Sequence, residues 1–193
     1  MAASRTSGTL PWMERFRAPT ILWTALAKAA PRRGLVASNE SGLCQLYSWD
    51  RTNGDLRQLT HVAEGIARGY LSPDGRYVYF FEDASGNEIG HWVRVPFEGG
   101  EPQMATPGID DYNRVFISFS LDNQAMGLTT TSAEGFTIFI FPLNGAGEIG
   151  EPRQLYHSSS VAVGAIPTVE LVEAGLVTGN KATHRRGLGK RCP

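Results

Sequence analysis

The chain has 193 residues and a formal net charge of −1, from 18 basic and 19 acidic side chains. A balance this close to zero disfavours a protein that binds nucleic acid or membranes mainly through charge. The length suffices for one large or two small domains with a buried core. The 22 glycines and 11 prolines predict many turns, which is typical of an all-β chain of short strands.

The sequence predicts neither a secretion signal nor a membrane span. Charged residues, among them Arg5, Glu14 and Arg15, interrupt the first stretch, which has no apolar run of signal-peptide length. No apolar run approaches the roughly 20 residues that cross a bilayer. Cys44 and Cys192 form no CxxC pair, which excludes a disulfide framework or zinc motif and fits a reducing compartment. We therefore expect a cytoplasmic protein.

The first elements are a lead-in and an ambiguous segment. Residues 1–19 are polar and contain prolines, so we expect a loose lead-in from which Trp12 and Phe16 could pack on a neighbour. Residues 21–30 are rich in alanine and leucine, which favours a helix. We interpret them as a strand, because Pro31 and the turn after it cut the segment short.

Further strands are predicted wherever β-branched and aromatic runs lie between turn residues. They cover residues 34–39, 43–50, 56–60, 76–82, 89–97, 114–120, 125–131 and 136–143, with short closing segments that end near residues 106 and 155.

Residues 71–106 form the best-defined unit, and it begins with the tight turn Ser-Pro-Asp-Gly. Pro73 presets φ, the carboxylate of Asp74 can accept hydrogen bonds from nearby backbone N–H groups, and Gly75 tolerates a positive φ. Strand, turn, strand, Gly-Gly turn and short strand follow in that order.

The same order of parts recurs on both sides of this unit. Ser72 and Ser120 are 48 residues apart, and the closing residues Thr60, Thr106 and Tyr156 follow at intervals of 46 and 50. A period in the forties with four short strands predicts the blades of a β-propeller. One blade cannot bury both of its faces, so at least three copies are needed for a shared core.

The repeat predicts a partial β-propeller over residues 20–157, with blades at about 20–60, 61–106 and 107–157. A fourth Asp-Gly turn is due near Thr168 and does not appear. After Glu173 the chain has no acidic residue, while lysine and arginine accumulate. We therefore predict that residues 158–193 are a divergent, disordered tail.

Two explanations of this tail stay open. One is an interrupted reading frame in which the tail replaces the next blade, and the other is a natural disordered basic tail. An incomplete propeller has open blade faces and unpaired strand edges, so we expect a poorly soluble monomer.

The repeat resembles the one shared by TolB-type proteins and the N-terminal propellers of prolyl oligopeptidase-family serine peptidases. The resemblance covers roughly residues 33–157. It is carried by the Ser-Pro-Asp-Gly turn at residues 72–75, Ser-Gly-Asn-Glu at 85–88, Gly-Gly-Glu-Pro at 99–102, and the closing strands at 56–60 and 152–155.

The resemblance implies a role beside a hydrolase. In the peptidase family the propeller caps an α/β-hydrolase domain and restricts the access of peptides to it. No G-x-S-x-G nucleophile motif occurs in this chain. We therefore expect a non-catalytic propeller fragment of such a peptidase, truncated before the hydrolase domain. The alternative is a stand-alone TolB-like module that binds a protein partner at blade edges.

We assign no catalytic, cofactor-binding or metal-binding residue. Lone histidines are common on ordinary surfaces, and His61, His91, His157 and His184 stand apart in the sequence. A metal or acid–base role for the adjacent pair at 110–111 is disfavoured because neighbouring strand residues point in opposite directions. We interpret that pair as part of a solvated loop between blades.

The remaining conspicuous residues receive structural interpretations. We predict that Trp23, Trp49 and Trp92 pack between blades, with ligand stacking as the minority alternative. The Arg-Arg pairs at 32–33 and 185–186 are too short for a nucleic-acid footprint. The glycine-rich turns are not followed by a helix and a Lys-Ser/Thr pair, which excludes a phosphate-binding loop.

Overall fold

The computed structural model describes residues 18–83 and 86–159. Nearly all of the lead-in and of the tail, including Trp12, His184 and Cys192, lies outside these residues. The described part of the chain contains no α-helix, and thus no helix that could cross a membrane.

The described residues contain twelve β-strands. They are β1 (Ile21–Leu26), β2 (Arg33–Ser38), β3 (Gln45–Asp50), β4 (Leu56–Gln58), β5 (Tyr70–Leu71), β6 (Tyr77–Asp83), β7 (Ile89–Pro96), β8 (Gln103–Met104), β9 (Tyr112–Phe119), β10 (Ala125–Ser132), β11 (Gly135–Pro142) and β12 (Arg153–Ser158).

The strands form three successive antiparallel meanders of four. We call β1–β4 blade 1, β5–β8 blade 2 and β9–β12 blade 3. Within each blade every strand pairs with the next along the chain. Blades 2 and 3 are also joined where Ile89 and Gly90 of β7 pair with Asn113 and Tyr112 of β9. The predicted all-β class and partial propeller are confirmed.

The first strands of blades 1 and 2 were the hardest to predict. The ambiguous segment at residues 21–30 forms β1, which pairs with β2 from Ile21 to Leu26. The helical alternative is wrong because tertiary pairing overrides the propensity of alanine and leucine. Strand β5 was not predicted, because only Tyr70 and Leu71 take part in it and two residues show no alternation.

Two hydrophobic cores hold the three blades together, and β6 contributes to both. Val78 and Phe80 pack in the core with residues of blade 1. Tyr79 and Phe81, which point to the other face, pack in the core with residues of blade 3. Successive side chains of a strand alternate between faces, so a strand between two blades reads as one continuous apolar run.

The packing predicted for the tryptophans is confirmed at two of three positions. Trp92 is 2% exposed in the core between blades 2 and 3. Trp23 packs against the core between blades 1 and 2, and its Nε1 donates to the carbonyl of Ala67 at 2.6 Å. Trp49 belongs to neither core, because Leu46 faces blade 2 and Trp49 therefore lies on the opposite face of β3.

Candidate functional site

The Ser-Pro-Asp-Gly turn is a hydrogen-bonded cluster around Asp74. Its Oδ1 accepts from the Ser72 hydroxyl at 2.6 Å and from the backbone N–H of Arg76 at 3.0 Å. Its Oδ2 accepts from Arg76 Nε at 2.6 Å and from Asn123 Nδ2 at 2.8 Å. The predicted turn role of Asp74 is confirmed, and the contact with Asn123 also ties blade 2 to blade 3.

Blade 3 repeats this turn with a different second and fourth residue, Leu121 and Asn123. The Ser120 hydroxyl donates to Asp122 Oδ1 at 2.6 Å, and the N–H of Gln124 donates to the same oxygen at 3.1 Å. Asn123 takes the place of Gly75, with φ of 58° against 72°. Asparagine tolerates this left-handed conformation better than most residues do. The turns are therefore structural parts of the blades.

Asp74 gives the fold a specific acid sensitivity. Burial alone would raise its pKa, but hydrogen bonds from Ser72 and Arg76 outweigh burial and hold the pKa below the ordinary value. A depressed folded-state pKa stabilises the fold above the unfolded pKa, and this stability is lost as pH falls through the folded pKa. We expect Asp74→Asn to lower Tm at pH 7, and we expect this deficit to shrink progressively as pH falls below the ordinary aspartate pKa of about 3.9.

Thermal unfolding followed by circular dichroism at several pH values checks this expectation. Asp110→Asn, at an exposed position, is the matched control and should follow the wild type throughout. A deficit of Asp74→Asn that stays constant from pH 7 to pH 3 would contradict the assigned role of the carboxylate.

A large cleft among the described residues lies between blades 1 and 2. Its volume is about 1070 Å³, which is the size of a ligand site. One wall is the end of β4 with the β4–β5 connection, and the other is formed by the C-terminal end of β6, the turn before β8 and Arg114 of β9. The described lining consists of Gln58, Leu59, His61, Val62, Ala63, Glu64, Gly65, Ile66, Ala67, Arg68, Phe80, Phe81, Glu82, Asp83, Gly86, Gly99, Gly100, Glu101, Pro102 and Arg114.

Backbone groups and charged side chains line this cleft more than reactive side chains do. The carboxylate of Asp83 is engaged locally, since it accepts from the N–H groups of Gly86 at 2.9 Å and Glu88 at 3.1 Å. The guanidinium of Arg114 lies 5.6 Å from the centre of the Phe81 ring, within the range of a cation–π contact. The cleft therefore combines an aromatic floor with a charged rim.

His61 is the one histidine that borders this cleft within the described chain. Its Nδ1 lies 3.2 Å from Nε2 of Gln58. None of the described lining residues is a serine, threonine or cysteine. A serine-type or cysteine-type nucleophile requires such a side chain within hydrogen-bond reach of its base. The described lining thus offers binding groups and no hydroxyl or thiol nucleophile.

His91 lies between two carboxylates, an arrangement that the sequence did not predict. Its Nδ1 is 3.3 Å from Oδ1 of Asp111, and its Nε2 is 3.7 Å from Oε2 of Glu82. Glu82 stands directly across from His91 in the β6–β7 register, so the pairing of two predicted strands was the signal that could have found it. Asp110 and Asp111 are exposed and precede β9, in agreement with the predicted loop.

The other candidate groups are not brought together. His157 Nδ1 lies 3.0 Å from Oγ1 of Thr137, on blade 3. Cys44 is free and half-buried, and burial raises the pKa of its thiol. Within residues 18–83 and 86–159 no three histidine, cysteine, aspartate or glutamate side chains are grouped so that they could hold a metal ion.

Buried polar groups stabilise the core between blades 2 and 3. The Tyr112 hydroxyl accepts from the backbone N–H of Trp92 at 3.2 Å and lies 3.0 Å from Oγ1 of Thr106. Burial raises the pKa of Tyr112 to about 12, so its hydroxyl stays neutral. Arg94 is 8% exposed, and its guanidinium stacks 4.2 Å from the centre of the Tyr77 ring. These groups serve packing between blades 2 and 3.

Comparison with known proteins supports the fold alone. No protein-family model and no curated protein sequence matches this chain. Among solved structures, a putative TolB from Agrobacterium tumefaciens matches with a TM-score of 0.50 and 20% identity, over 71% of this chain and 49% of that one. TolB from Acinetobacter baumannii matches with a TM-score of 0.45 and 24% identity, over 69% of this chain and 35% of that one.

The β-propeller domain of the Trilobed protease from Pyrococcus furiosus matches with a TM-score of 0.48 and 11% identity, over 70% of this chain and 43% of that one. The chain thus spans half or less of the length of each of these structures. The putative TolB is the one of the three whose likeness is strong enough to bear on the fold, and it agrees with the three propeller blades.

Proposed function

We propose that this chain is a non-catalytic propeller of the prolyl oligopeptidase type, which admits and holds peptide segments while a separate hydrolase domain carries the chemistry. The cleft between blades 1 and 2 carries the proposal. It has the volume of a ligand site, and its described lining offers charged groups, an aromatic floor and glycine backbone. The cytoplasmic location and a peptide substrate are consequences of the same proposal.

Peptide binding tests this function directly. Fluorescein-labelled, end-blocked neutral decapeptides are titrated with the full chain, and fluorescence anisotropy reports binding. We expect Ala63→Trp, at an exposed position on the cleft wall, to weaken binding at least fivefold by filling the cleft. Ala133→Trp, exposed in the β10–β11 turn and outside the cleft, should bind like the wild type.

Two results would count against the proposal. Equal affinity of the Ala63→Trp and Ala133→Trp variants would place peptide binding outside the cleft. Hydrolysis of aminoacyl or dipeptidyl reporters by the purified chain, with sensitivity to serine reagents, would show that it carries its own nucleophile.

A TolB-like interaction module is the second candidate. It is favoured by the likeness to the putative TolB from Agrobacterium tumefaciens, which has the highest TM-score of the three structures above. Such a module would recognise the folded surface of a protein partner at blade edges, and short unstructured peptides would not bind in the cleft. The decapeptide titration therefore separates the two candidates.

A further inference from the structure

The cleft between blades 1 and 2 carries more acidic than basic side chains. Its described lining includes four carboxylates and two guanidiniums: Glu64, Glu82, Asp83, Glu101, Arg68 and Arg114. Glu64, Glu82 and Glu101 are exposed residues of this lining, so their charges are available to a ligand in the cleft. A neutral peptide gains no charge pairing from this excess, whereas a basic segment would complement it and should bind more tightly than a neutral one.

The chain itself contains a segment of opposite charge. Residues 178–193 read TGNKATHRRGLGKRCP and contain five cationic residues and no acidic one. The five are Lys181, Arg185, Arg186, Lys190 and Arg191. This basic segment is the feature of the sequence that the peptide-holding function leaves unexplained.

The chain after blade 3 is long enough for the basic segment to reach the cleft. Lys181 follows Ser159, the last described residue, by 22 positions. A chain of that length can span at most about 70 Å. A compact unit of about 140 residues has a radius of gyration of about 14 Å. The segment can therefore reach any part of the propeller surface.

We propose that the basic segment, residues 181–191, occupies the acidic cleft of its own chain and competes there with incoming peptides. The inference rests on the proposed function, since it takes the cleft to be a peptide site. It adds that the site selects basic peptides and that the chain carries an internal competitor for it.

The covalent link between the basic segment and the propeller determines how strongly the segment competes with free peptides. A segment tethered within the same chain can reach an effective concentration of about 1 mM at a site on that chain. If the free segment binds the cleft with a Kd of about 100 μM, the tethered copy weakens the binding of a peptide in solution about 10-fold. The attraction is between exposed charges, so it should largely disappear at 0.5 M salt.

Competition between the tethered and the free segment provides the test. The probe is a fluorescein-labelled peptide of residues 178–193 with serine in place of Cys192, and anisotropy reports its binding to the full chain. A variant with Arg185→Gln, Arg186→Gln, Lys190→Gln and Arg191→Gln lacks the basic competitor. We expect it to bind the probe about 10-fold more tightly than the wild type, with the difference lost in 0.5 M NaCl.

A second pair of variants locates the site on the protein. In the background without the basic competitor, Glu64→Gln with Glu101→Gln removes two cleft carboxylates and should weaken probe binding at least threefold. Glu40→Gln with Glu134→Gln removes two exposed carboxylates from turns outside the cleft and should leave binding unchanged. Both pairs change the net charge equally.

Each other outcome overturns the inference. Equal affinity of the wild type and the variant without the basic competitor would show that the segment does not occupy the cleft. If both glutamate pairs weaken probe binding equally, the attraction depends on net charge and not on the cleft. If the competition depends on protein concentration, the segment binds the cleft of a second copy of the chain. If neutral decapeptides bind the cleft as tightly as the probe, the inference fails while the proposed function stands; if no peptide binds, both fail.

Discussion

Trp92→Ala is expected to reduce the free energy of unfolding by about 3–5 kcal/mol. The Trp92 ring is 2% exposed and packs edge-on against Tyr70 at 5.6 Å and Phe81 at 5.7 Å between ring centres. Its removal leaves a cavity where blades 2 and 3 meet. Small domains have total stabilities of about 5–15 kcal/mol, so this loss would bring the fold close to unfolding at 37 °C.

Urea unfolding followed by circular dichroism measures the effect without relying on tryptophan fluorescence. Trp49→Ala is the matched control, because Trp49 is half-buried and lies outside both cores. We expect it to lose less than half as much stability as Trp92→Ala. Equal losses, or a larger loss at Trp49, would contradict the described packing of the blades.

Gly90→Ala is expected to cost about 1–3 kcal/mol, although it adds a single methyl group. A Cβ at Gly90 would collide with the carbonyl oxygen of Glu82 and lie 2.9 Å from Cα of Asp83. Both neighbours are backbone atoms of the paired strand β6, so they cannot move aside alone. Gly90 also pairs with Tyr112, so the shift would disturb the junction of blades 2 and 3.

Gly145→Ala is the control for this substitution. Its Cβ would meet no atom within 4 Å, and its φ lies outside the left-handed region. Surface substitutions of this kind change stability by less than about 0.5 kcal/mol. The Tm values of the two variants, measured under the same conditions, test this prediction. A Gly90→Ala variant as stable as Gly145→Ala would mean that β6 and β7 are not paired in the described register.

The repeat of the sequence was enough to predict the blades, because blade turns depend on local chemistry. The turn needs an aspartate followed by a residue that tolerates a positive φ, as in Asp74 and Gly75, and this pair recurs 48 residues later as Asp122 and Asn123. Strands between such turns follow from alternation and β-branched composition. Strand β5 escaped prediction, because a strand of two residues is specified by its partner β6 and leaves no pattern of its own.

The cleft could not be predicted, because its walls come from distant parts of the chain. His61 and Glu64 belong to the connection after blade 1, Glu101 precedes β8, and Arg114 belongs to blade 3. These residues have no regular spacing in the sequence. They come together because of the angle at which the blades stack. The same holds for the contact of His91 with Asp111, which depends on the short β7–β9 pairing.

The most direct test of a peptide-holding propeller is an NMR titration of the ¹⁵N-labelled full chain with the neutral decapeptide. The backbone amides of Gly65, Gly86 and Gly100 border the cleft, and that of Gly127 in β10 of blade 3 does not. Peptide binding in the cleft predicts shifts at the first three amides that saturate together, with Gly127 unchanged. Saturating shifts confined to blade 3, or no shift at any of these amides, would contradict the proposed function.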